Sequence, residues 1–264
     1  MSRDVLIGGR HLHVDVRGTG PAVLFVHGFP LSGAMWDPAV LGLESGYRCI
    51  VPDLRGFGRS APTRTASMAD HAADLEAALD ALEETGPVVV VGMSMGGYVA
   101  FELCRRAPDR IRALVLVSTR AQADDPEGVR SRRETAARVR RSGSGVVAEG
   151  MAGKLFGPAA PEALRQRWRE RMAAADPEGV IAALEGMAIR RDAFAMLATL
   201  DAPVLILVGA QDTITPAEDA ERMQRAAPGS VLEVIPDAGH MAAVEQPVRV
   251  LEVLRPFLER VTAG

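Results

Sequence analysis

A serine in a glycine-rich turn is the first residue of this chain whose setting favours nucleophilic chemistry. Residues 92–97 read GMSMGG and contain the pattern G-x-S-x-G around Ser94. A valine-rich run at 87–92 precedes the turn and a helical pattern at 95–107 follows it, which is the context of a nucleophile elbow. We therefore expect strained backbone at Ser94, flanked by glycines whose replacement would bring side chains against neighbouring backbone. The alternative is an ordinary turn in which the serine only caps the helix.

The serine hydroxyl needs a base within hydrogen-bond reach, and histidine is the commonest one. His240 follows the last predicted strand and so emerges at the same carboxyl edge of the sheet as Ser94. His27 ends the third predicted strand at the sheet edge. The other histidines lie on the first hairpin and near a helix start and are interpreted as surface or capping residues: His11, His13 and His71. His240 is the preferred base.

The histidine in turn needs an acid that fixes its tautomer and stabilises the imidazolium ion. Asp212 comes just after the predicted strand at 204–208 and reaches the same edge. Asp124 and Asp125 are a second possibility, but they lie several residues beyond the end of an earlier strand. With Asp212 the chain order is serine, aspartate, histidine, which is the order found when a nucleophile elbow carries the serine.

The elements that must position these residues alternate along the chain as strands and helices, which predicts a mostly parallel α/β sheet. Gly8-Gly9 separates the first two strands and predicts an antiparallel hairpin at the start. Later strands are apolar at every position and should be buried on both faces. Eight strands are predicted, at 5–7, 11–16, 22–26, 47–51, 87–92, 111–117, 204–208 and 231–235. The helices between them are expected at 67–84, 95–107, 217–227 and 243–260.

Between 119 and 192 this alternation stops and the sequence becomes rich in arginine. Apolar residues recur there at helical spacing, which predicts four amphipathic helices, at 129–141, 146–156, 164–175 and 180–188. Because strands resume afterwards, we expect a helical cap at 120–191 inserted into one core formed by 1–119 and 192–264. An independent helical domain is the alternative.

Composition excludes several classes of function. The 264 residues are 48% hydrophobic and 24% charged, as in an ordinary globular protein. With 30 basic and 34 acidic residues the net charge is −4, so nucleic acid is not an expected partner. Lys154 is the single lysine, which sets Schiff-base chemistry aside. Cys49 and Cys104 have no metal-ligand spacing and are expected to be buried free thiols.

No stretch of 18 consecutive apolar residues occurs, so no membrane span is expected. The first residues lack the apolar run of a signal peptide. These features predict a cytoplasmic protein. The sequence leaves the oligomeric state open.

Taken together, these segments resemble the α/β-hydrolase family over essentially the whole chain. The resemblance rests on the elbow, on the two loops that carry Asp212 and His240, on HGFP at 27–30 and on DLRGFGRS at 53–60. It implies an α/β-hydrolase fold with an eight-stranded, mostly parallel sheet flanked by helices and a helical cap. It also implies that the backbone N–H groups of Phe29 and Met95 form the oxyanion hole.

A physical argument supports Phe29 independently. Pro30 has no N–H and pushes the preceding residue toward extended geometry, so Phe29 keeps its own donor in a fixed place. His27 is then interpreted as an anchor of this loop rather than a second base. The 53–60 segment is interpreted as a turn-rich support.

The expected chemistry is acyl transfer without cofactor or metal, in which Ser94 attacks an ester or lactone carbonyl. Haloalkane dehalogenases and epoxide hydrolases carry aspartate at the elbow and dienelactone hydrolases carry cysteine, so all three are excluded. Serine esterases, lactonases and perhydrolases remain. The resemblance is to serine carboxylesterases and to 3-oxoadipate enol-lactonases. A signalling receptor that keeps the same three residues is a non-enzymatic alternative.

The cap is expected to line an apolar pocket for small to medium, mainly apolar substrates. Its four expected lining residues are Met151, Phe156, Trp168 and Met187, although each is compatible with a purely packing role. An acidic lactone would require a basic group near the pocket. Arg190 and Arg191 are candidates for that group, but they are interpreted as surface charges, with Asp192 capping the next helix.

Overall fold

A computed structural model describes residues 2–263 and contains one eight-stranded sheet. The strands are β1 (Ser2–Ile7), β2 (Arg10–Arg17), β3 (Ala22–Val26), β4 (Arg48–Pro52), β5 (Val88–Met93), β6 (Ile111–Val117), β7 (Val204–Gly209) and β8 (Val231–Ile235). Their order in the sheet is β1-β2-β4-β3-β5-β6-β7-β8. β2 pairs antiparallel with β1 and β4, and the remaining pairs are parallel. The predicted antiparallel start and mostly parallel sheet are therefore confirmed.

Helices cover both faces of the sheet and enclose two hydrophobic clusters. In β5, Val88 and Val90 pack into one cluster while Val89 and Val91 pack into the other. All four side chains are buried, as expected for a central strand covered on both sides. β8 differs because it is an edge strand, and its Val231 and Val234 are exposed.

The four helices predicted for the sheet layer are present, with ends within a few residues of the predicted ones, and further short helices lie beside them. The helices of the sheet layer are α1 (Asp37–Leu43), α2 (Met68–Ala81), α3 (Met95–Arg106), α8 (Phe194–Thr199), α9 (Ala217–Ala226), α10 (Ala242–Glu245) and α11 (Pro247–Thr262). The short helices α1 and α10 were not predicted, because each contributes only one or two turns, whereas α8 is the helix expected after Asp192. Asp192 Oδ1 accepts the N–H of Phe194, the first residue of α8, at 2.9 Å, but the N-cap of this helix is Ala193 rather than the expected Asp192.

Four further helices lie between β6 and β7, where four were predicted: α4 (Pro126–Ser142), α5 (Gly145–Ala152), α6 (Glu162–Ala173) and α7 (Pro177–Ala188). Asp125 caps α4 by accepting the N–H of Gly128 at 2.7 Å. α5 is shorter than predicted, because it ends at Ala152 beside Gly153. This difference changes where the following residues point.

Cys49 and Cys104 are free and buried, as predicted. Burial raises the pKa of each thiol to about 12. Within residues 2–263, no helix is both long and apolar enough to cross a membrane.

Candidate active site

Ser94 lies in a tight turn between β5 and α3 with strained backbone. Its φ of 53° and ψ of −115° fall in a region that non-glycine residues rarely adopt. A Cβ atom on Gly92 would lie 2.5 Å from the carbonyl oxygen of Gly96, and one on Gly96 would lie 2.2 Å from that of Val26. The turn therefore requires glycine at both positions, as the sequence indicated.

Two hydrogen bonds hold the turn in place. The N–H of Ser94 donates to the carbonyl oxygen of Val117 at 3.0 Å, and Thr119 Oγ1 donates to the carbonyl oxygen of Ser94 at 2.7 Å. Met95 is the first residue of α3, so its N–H has no acceptor within the helix. The positive end of the helix dipole therefore faces the region of Ser94.

Asp212 and His240 form a buried pair at the carboxyl ends of β7 and β8. Asp212 Oδ2 lies 2.9 Å from His240 Nδ1 and 2.7 Å from Thr215 Oγ1. Asp212 Oδ1 accepts the N–H groups of Ile214 and Thr215 at 2.8 and 2.9 Å. Each oxygen of the carboxylate thus has two hydrogen-bond partners, which fix its position.

The surroundings of Asp212 favour its ionised form. Burial alone would raise the pKa of the carboxyl, but the hydrogen bond and charge of His240 and the hydrogen bonds from Thr215 outweigh it and hold the pKa below its usual value. An imidazole that donates through Nδ1 keeps its lone pair on Nε2. A neutral imidazole that donates to Asp212 in this way is the tautomer that a general base requires.

Thr215 was missed by the sequence reasoning. Its hydroxyl donates to Asp212 and lies 3.3 Å from His240 Nδ1. The signal was present as an aspartate followed three residues later by threonine, a spacing typical of local side-chain to backbone turns.

Glu245 ties the loop of His240 to the segment after α5. One of its carboxylate oxygens accepts the N–H of Gly239 at 2.9 Å, and the other accepts the N–H of Gly157 at 2.7 Å. Burial raises the pKa of this carboxyl. These hydrogen bonds hold the loop that carries the imidazole against the segment at Gly157.

Ser94 and His240 line one cavity of about 460 Å³, together with Phe29. Of the five histidines, His240 is the one that lines it. The backbone of the Phe29 loop lies against the elbow, because a Cβ atom on Gly28 would be 3.4 Å from Ser94 Cβ. The structure thus brings together Ser94, the Asp212–His240 pair, and the residues expected to form the oxyanion hole, Phe29 and Met95.

His27 contacts the backbone on both sides of its ring. Its Nε2 accepts the N–H of Leu54 at 2.9 Å, and Nδ1 donates to the carbonyl oxygen of Gly28 at 2.9 Å. Burial lowers its pKa, so the ring stays neutral. His27 therefore anchors the Phe29 loop, as interpreted from the sequence.

The 53–60 segment is a support for the same loop. Asp53 Oδ1 accepts the N–H of Gly33 at 2.7 Å, and its Oδ2 accepts that of Arg59 at 2.8 Å. Arg55 and Asp74 form a buried ion pair that fixes the segment to α2.

The interpretation of His71 and His13 as surface or capping residues is wrong. His71 is fully buried in α2, and the cap of that helix is a reciprocal pair made by Ser67 and Asp70. Burial and the neighbouring charge of Arg55 lower the pKa of His71 to about 3. His13 is also buried, with Nδ1 2.8 Å from Asp4 Oδ1.

Two of the four expected pocket residues line the cavity and two lie elsewhere. Met151 and Met187 line it. Phe156 lies beyond the early end of α5, and its backbone packs against Gly239. Trp168, on α6, packs into the same hydrophobic cluster as Val89 and Val91 of β5. It lines a separate cavity.

The cavity is not purely apolar, which corrects the expectation of an apolar pocket. Five charged side chains are among its lining: Arg120, Asp124, Arg132, Arg138 and Lys154. Lys154, set aside at first, was missed because the turn after α5 could not be placed from the sequence.

Arg190 and Arg191 do not line the cavity. Arg190 is no surface charge either, since it is buried on the ring of Tyr98 and lies 2.7 Å from Asp124 Oδ1. Arg191 pairs with Glu102. Because Asp124 is held by Arg132 and Arg190, it is unavailable to His240, and Asp125 serves as the cap of α4.

Comparison with known proteins agrees with the fold described above. The sequence profile of the α/β-hydrolase fold matches residues 21–247. A thermophilic esterase from Thermogutta terrifontis, solved with malate bound, superposes with a TM-score of 0.96 at 42% identity, covering 99% of each chain. A pimeloyl-(acyl-carrier protein) methyl ester esterase from Chromobacterium violaceum is 30% identical over 94% of this chain and 98% of its own. 3-Oxoadipate enol-lactonase 1 from Acinetobacter baylyi is 27% identical over 96% and 95%.

The profile spans more than half of the chain, and the esterase structure shares its fold almost throughout. The chain belongs to the α/β-hydrolase family.

Proposed function

We propose that this protein is a serine hydrolase that cleaves carboxylic esters through an acyl-enzyme intermediate. The observation that carries the proposal is the pairing of His240 with Asp212 at 2.9 Å in the cavity that Ser94 also lines. Esterases among the similar proteins support the reaction class.

In the proposed reaction, His240 Nε2 takes the proton of Ser94 as its Oγ attacks the ester carbonyl. The N–H groups of Phe29 and Met95 stabilise the tetrahedral oxyanion, an effect worth roughly 3–4 kcal/mol per donor in related chemistry. His240 then gives the proton to the leaving alcohol. Water, activated by the same imidazole, releases the acid and restores Ser94. No step requires a cofactor or metal.

The segment at 120–191 serves as a cap over the catalytic residues in this proposal. Its support is the cavity lining, which combines Ser94 and His240 of the core with residues from α4, α5 and α7. The core at 1–119 and 192–264 supplies the catalytic groups, and the cap selects the substrate. Met151 and Met187 supply apolar contacts to it.

A lactonase is the second candidate, because an enol-lactonase is among the relatives similar over nearly the whole chain. Its chemistry uses the same groups on a cyclic ester. Perhydrolase activity and a receptor role are less favoured. In this proposal the substrate is a small molecule and nucleic acid is not a partner. The location is cytoplasmic, as expected from the sequence.

The test is a series of p-nitrophenyl esters with acyl chains of about two to twelve carbons, run beside an enol-lactone. Ser94→Ala should abolish the hydrolysis, whereas Ser45→Ala, at an exposed position away from the cavity, should retain it. Full activity in Ser94→Ala would refute the proposal. Faster turnover of the lactone would favour the second candidate, and binding with negligible turnover would favour the receptor.

A further inference from the structure

The catalytic cavity carries an excess of positive charge although the chain as a whole is negative. Its five charged lining residues are four cations and one anion: Arg120, Arg132, Arg138, Lys154 and Asp124. The net charge of the whole chain is −4. A field of this sign favours substrates that carry negative charge.

Internal ion pairs do not cancel this excess. Arg120 lies 3.2 Å from Asp219, which balances one charge. Asp124 is shared between Arg132 and the buried Arg190, so two guanidinium groups face one carboxylate. The Asp124 pKa is lowered because its hydrogen bonds and charge contacts with these arginines outweigh the effect of burial, so it is ionised at neutral pH and is already fully compensated.

Arg132 also has an N–H group without a strong acceptor. Its Nη1 lies 3.4 Å from the Sδ atom of Met187, and a thioether sulfur accepts hydrogen bonds only weakly. Both residues line the cavity. A carboxylate oxygen entering there would be a far better acceptor for this donor.

Arg138 and Lys154 are the cations left over. Neither forms an ion pair with any side chain in the part of the chain that the structure describes, 2–263, and both are exposed. Arg138 lies on α4, six residues after Arg132, and Lys154 follows α5; all three line the cavity. Together they supply donors for an anion that enters it.

The segment at 120–191 and the rest of the chain also carry net charges of opposite sign. Residues 120–191 contain 14 basic and 10 acidic residues, a formal charge of +4. The remainder contains 16 basic and 24 acidic residues, a formal charge of −8. Positive charge is therefore concentrated in the helices that cover Ser94.

From these observations we infer that the preferred substrates are esters that carry a carboxylate group, bound by Arg132, Arg138 and Lys154. The inference rests on the proposed function and names the substrate class for the same site. It also replaces the expectation of mainly apolar substrates. The free carboxylate pairs with the cations while the ester group lies at Ser94.

Two esters of matched size test this inference. p-Nitrophenyl hydrogen adipate carries a terminal carboxylate, and p-nitrophenyl 6-oxoheptanoate has a neutral methyl ketone in its place. We expect kcat/KM to be at least about tenfold higher for the adipate ester at low ionic strength, and the ratio to shrink in about 0.5 M NaCl because salt screens exposed charges.

The double variant Arg138→Gln/Lys154→Gln should lower this ratio at least about threefold, and Arg132 accounts for the preference that remains. Arg130→Gln/Arg141→Gln is the matched control, since it removes two charges from exposed positions of α4 outside the lining. The control should keep the ratio within about twofold of the unmodified protein, because long-range effects of two exposed charges are screened. A ratio near one in the unmodified protein, or equal losses in both double variants, would overturn the inference.

A binding measurement separates this inference from the proposed reaction. Calorimetry on the Ser94→Ala protein compares methyl hydrogen adipate with methyl 6-oxoheptanoate and requires no turnover. Tighter binding of the anion by about tenfold supports the inference even if neither ester is hydrolysed, in which case only the proposed reaction fails. Equal affinity for the two ligands overturns it.

Discussion

Asp212 and His240 lie 28 residues apart in the chain, yet Asp212 Oδ2 and His240 Nδ1 are 2.9 Å apart in a buried site. The other oxygen of Asp212 is occupied by two backbone N–H groups, from Ile214 and Thr215. The carboxylate therefore cannot turn, and it presents a single oxygen to the imidazole. In the proposed reaction, this fixed orientation lets His240 act as the base for Ser94.

Asp212→Asn should impair catalysis while the fold is kept. The backbone donors to Oδ1 would retain the amide oxygen, so the NH₂ group would face His240 Nδ1. The imidazole would then carry its proton on Nε2 and lose its function as a base. We expect kcat on p-nitrophenyl butyrate to fall roughly 10³–10⁴-fold.

The matched control for this substitution is Asp237→Asn, at an exposed position of the loop that precedes His240. Its φ of 53° is well tolerated by asparagine, so activity should stay within about twofold. A similar loss in both variants would mean that loop disruption, rather than the tautomer of His240, explains the effect.

Glu245→Gln should lower kcat with little change in KM. An amide has one acceptor oxygen, so it can accept only one of the two N–H groups, from Gly157 and Gly239, that the carboxylate now accepts. An unpaired buried donor costs about 1–3 kcal/mol, and the one at Gly239 adjoins His240. We expect a drop of about tenfold in kcat, measured with p-nitrophenyl butyrate.

Glu252→Gln, on the exposed side of α11, is the control for loss of a carboxylate. It should leave both kinetic constants unchanged. If Glu245→Gln lowered the melting temperature but not kcat, the positioning role of Glu245 would be ruled out.

Gly96→Ala should destabilise the protein and inactivate it. The new Cβ atom would lie 2.2 Å from the carbonyl oxygen of Val26 and 2.8 Å from that of His27, so backbone must move. Such overpacking costs about 1–3 kcal/mol of unfolding free energy, measured by urea denaturation. Gly86→Ala has open space around its new Cβ atom and should match or slightly exceed the stability of the unmodified protein. Equal stability of the two variants would contradict this account of the elbow.

His71 should make stability depend on pH. Its pKa is about 3 in the folded protein but close to 6.5 when unfolded, so below pH 6.5 only the unfolded chain takes up the proton. Stability is thus lost as pH falls from about 6.5 toward 3, by about 1.4 kcal/mol per pH unit at most.

Urea denaturation of His71→Met between about pH 4 and 7 measures this contribution. The variant should lose less stability on acidification than the unmodified protein, whereas the exposed His11→Met should not differ from it. Parallel curves for His71→Met and the unmodified protein would show that His71 becomes protonated in the folded state.

The positions of the proposed catalytic residues were predictable from sequence because local pattern determines where they lie. Parallel strands end at one edge of the sheet, so the loops that carry Ser94, Asp212 and His240 had to converge there. G-x-S-x-G after a buried strand also indicated the strained backbone of Ser94. Assignment of these three residues needed no knowledge of how the helices pack.

The cavity lining was less predictable because it depends on helix ends and docking. Gly153 ends α5 one turn early, which takes Phe156 to the loop of His240 and Lys154 into the cavity. Trp168 shows helical spacing that fits either face of α6, and only packing decides between them. His71 was interpreted as a surface or capping residue because it lies near the start of α2. Ser67 and Asp70 form that cap instead, and His71 is buried.

Identification of the residue that becomes acylated tests the central claim most directly. Rapid mixing with p-nitrophenyl butyrate, acid quenching and peptide mapping by mass spectrometry should find the butyryl group on Ser94, with a burst of p-nitrophenol equal to the enzyme concentration. Asp212→Asn should form the adduct far more slowly. Hydrolysis without any adduct, or a butyryl group on another residue, would contradict the account.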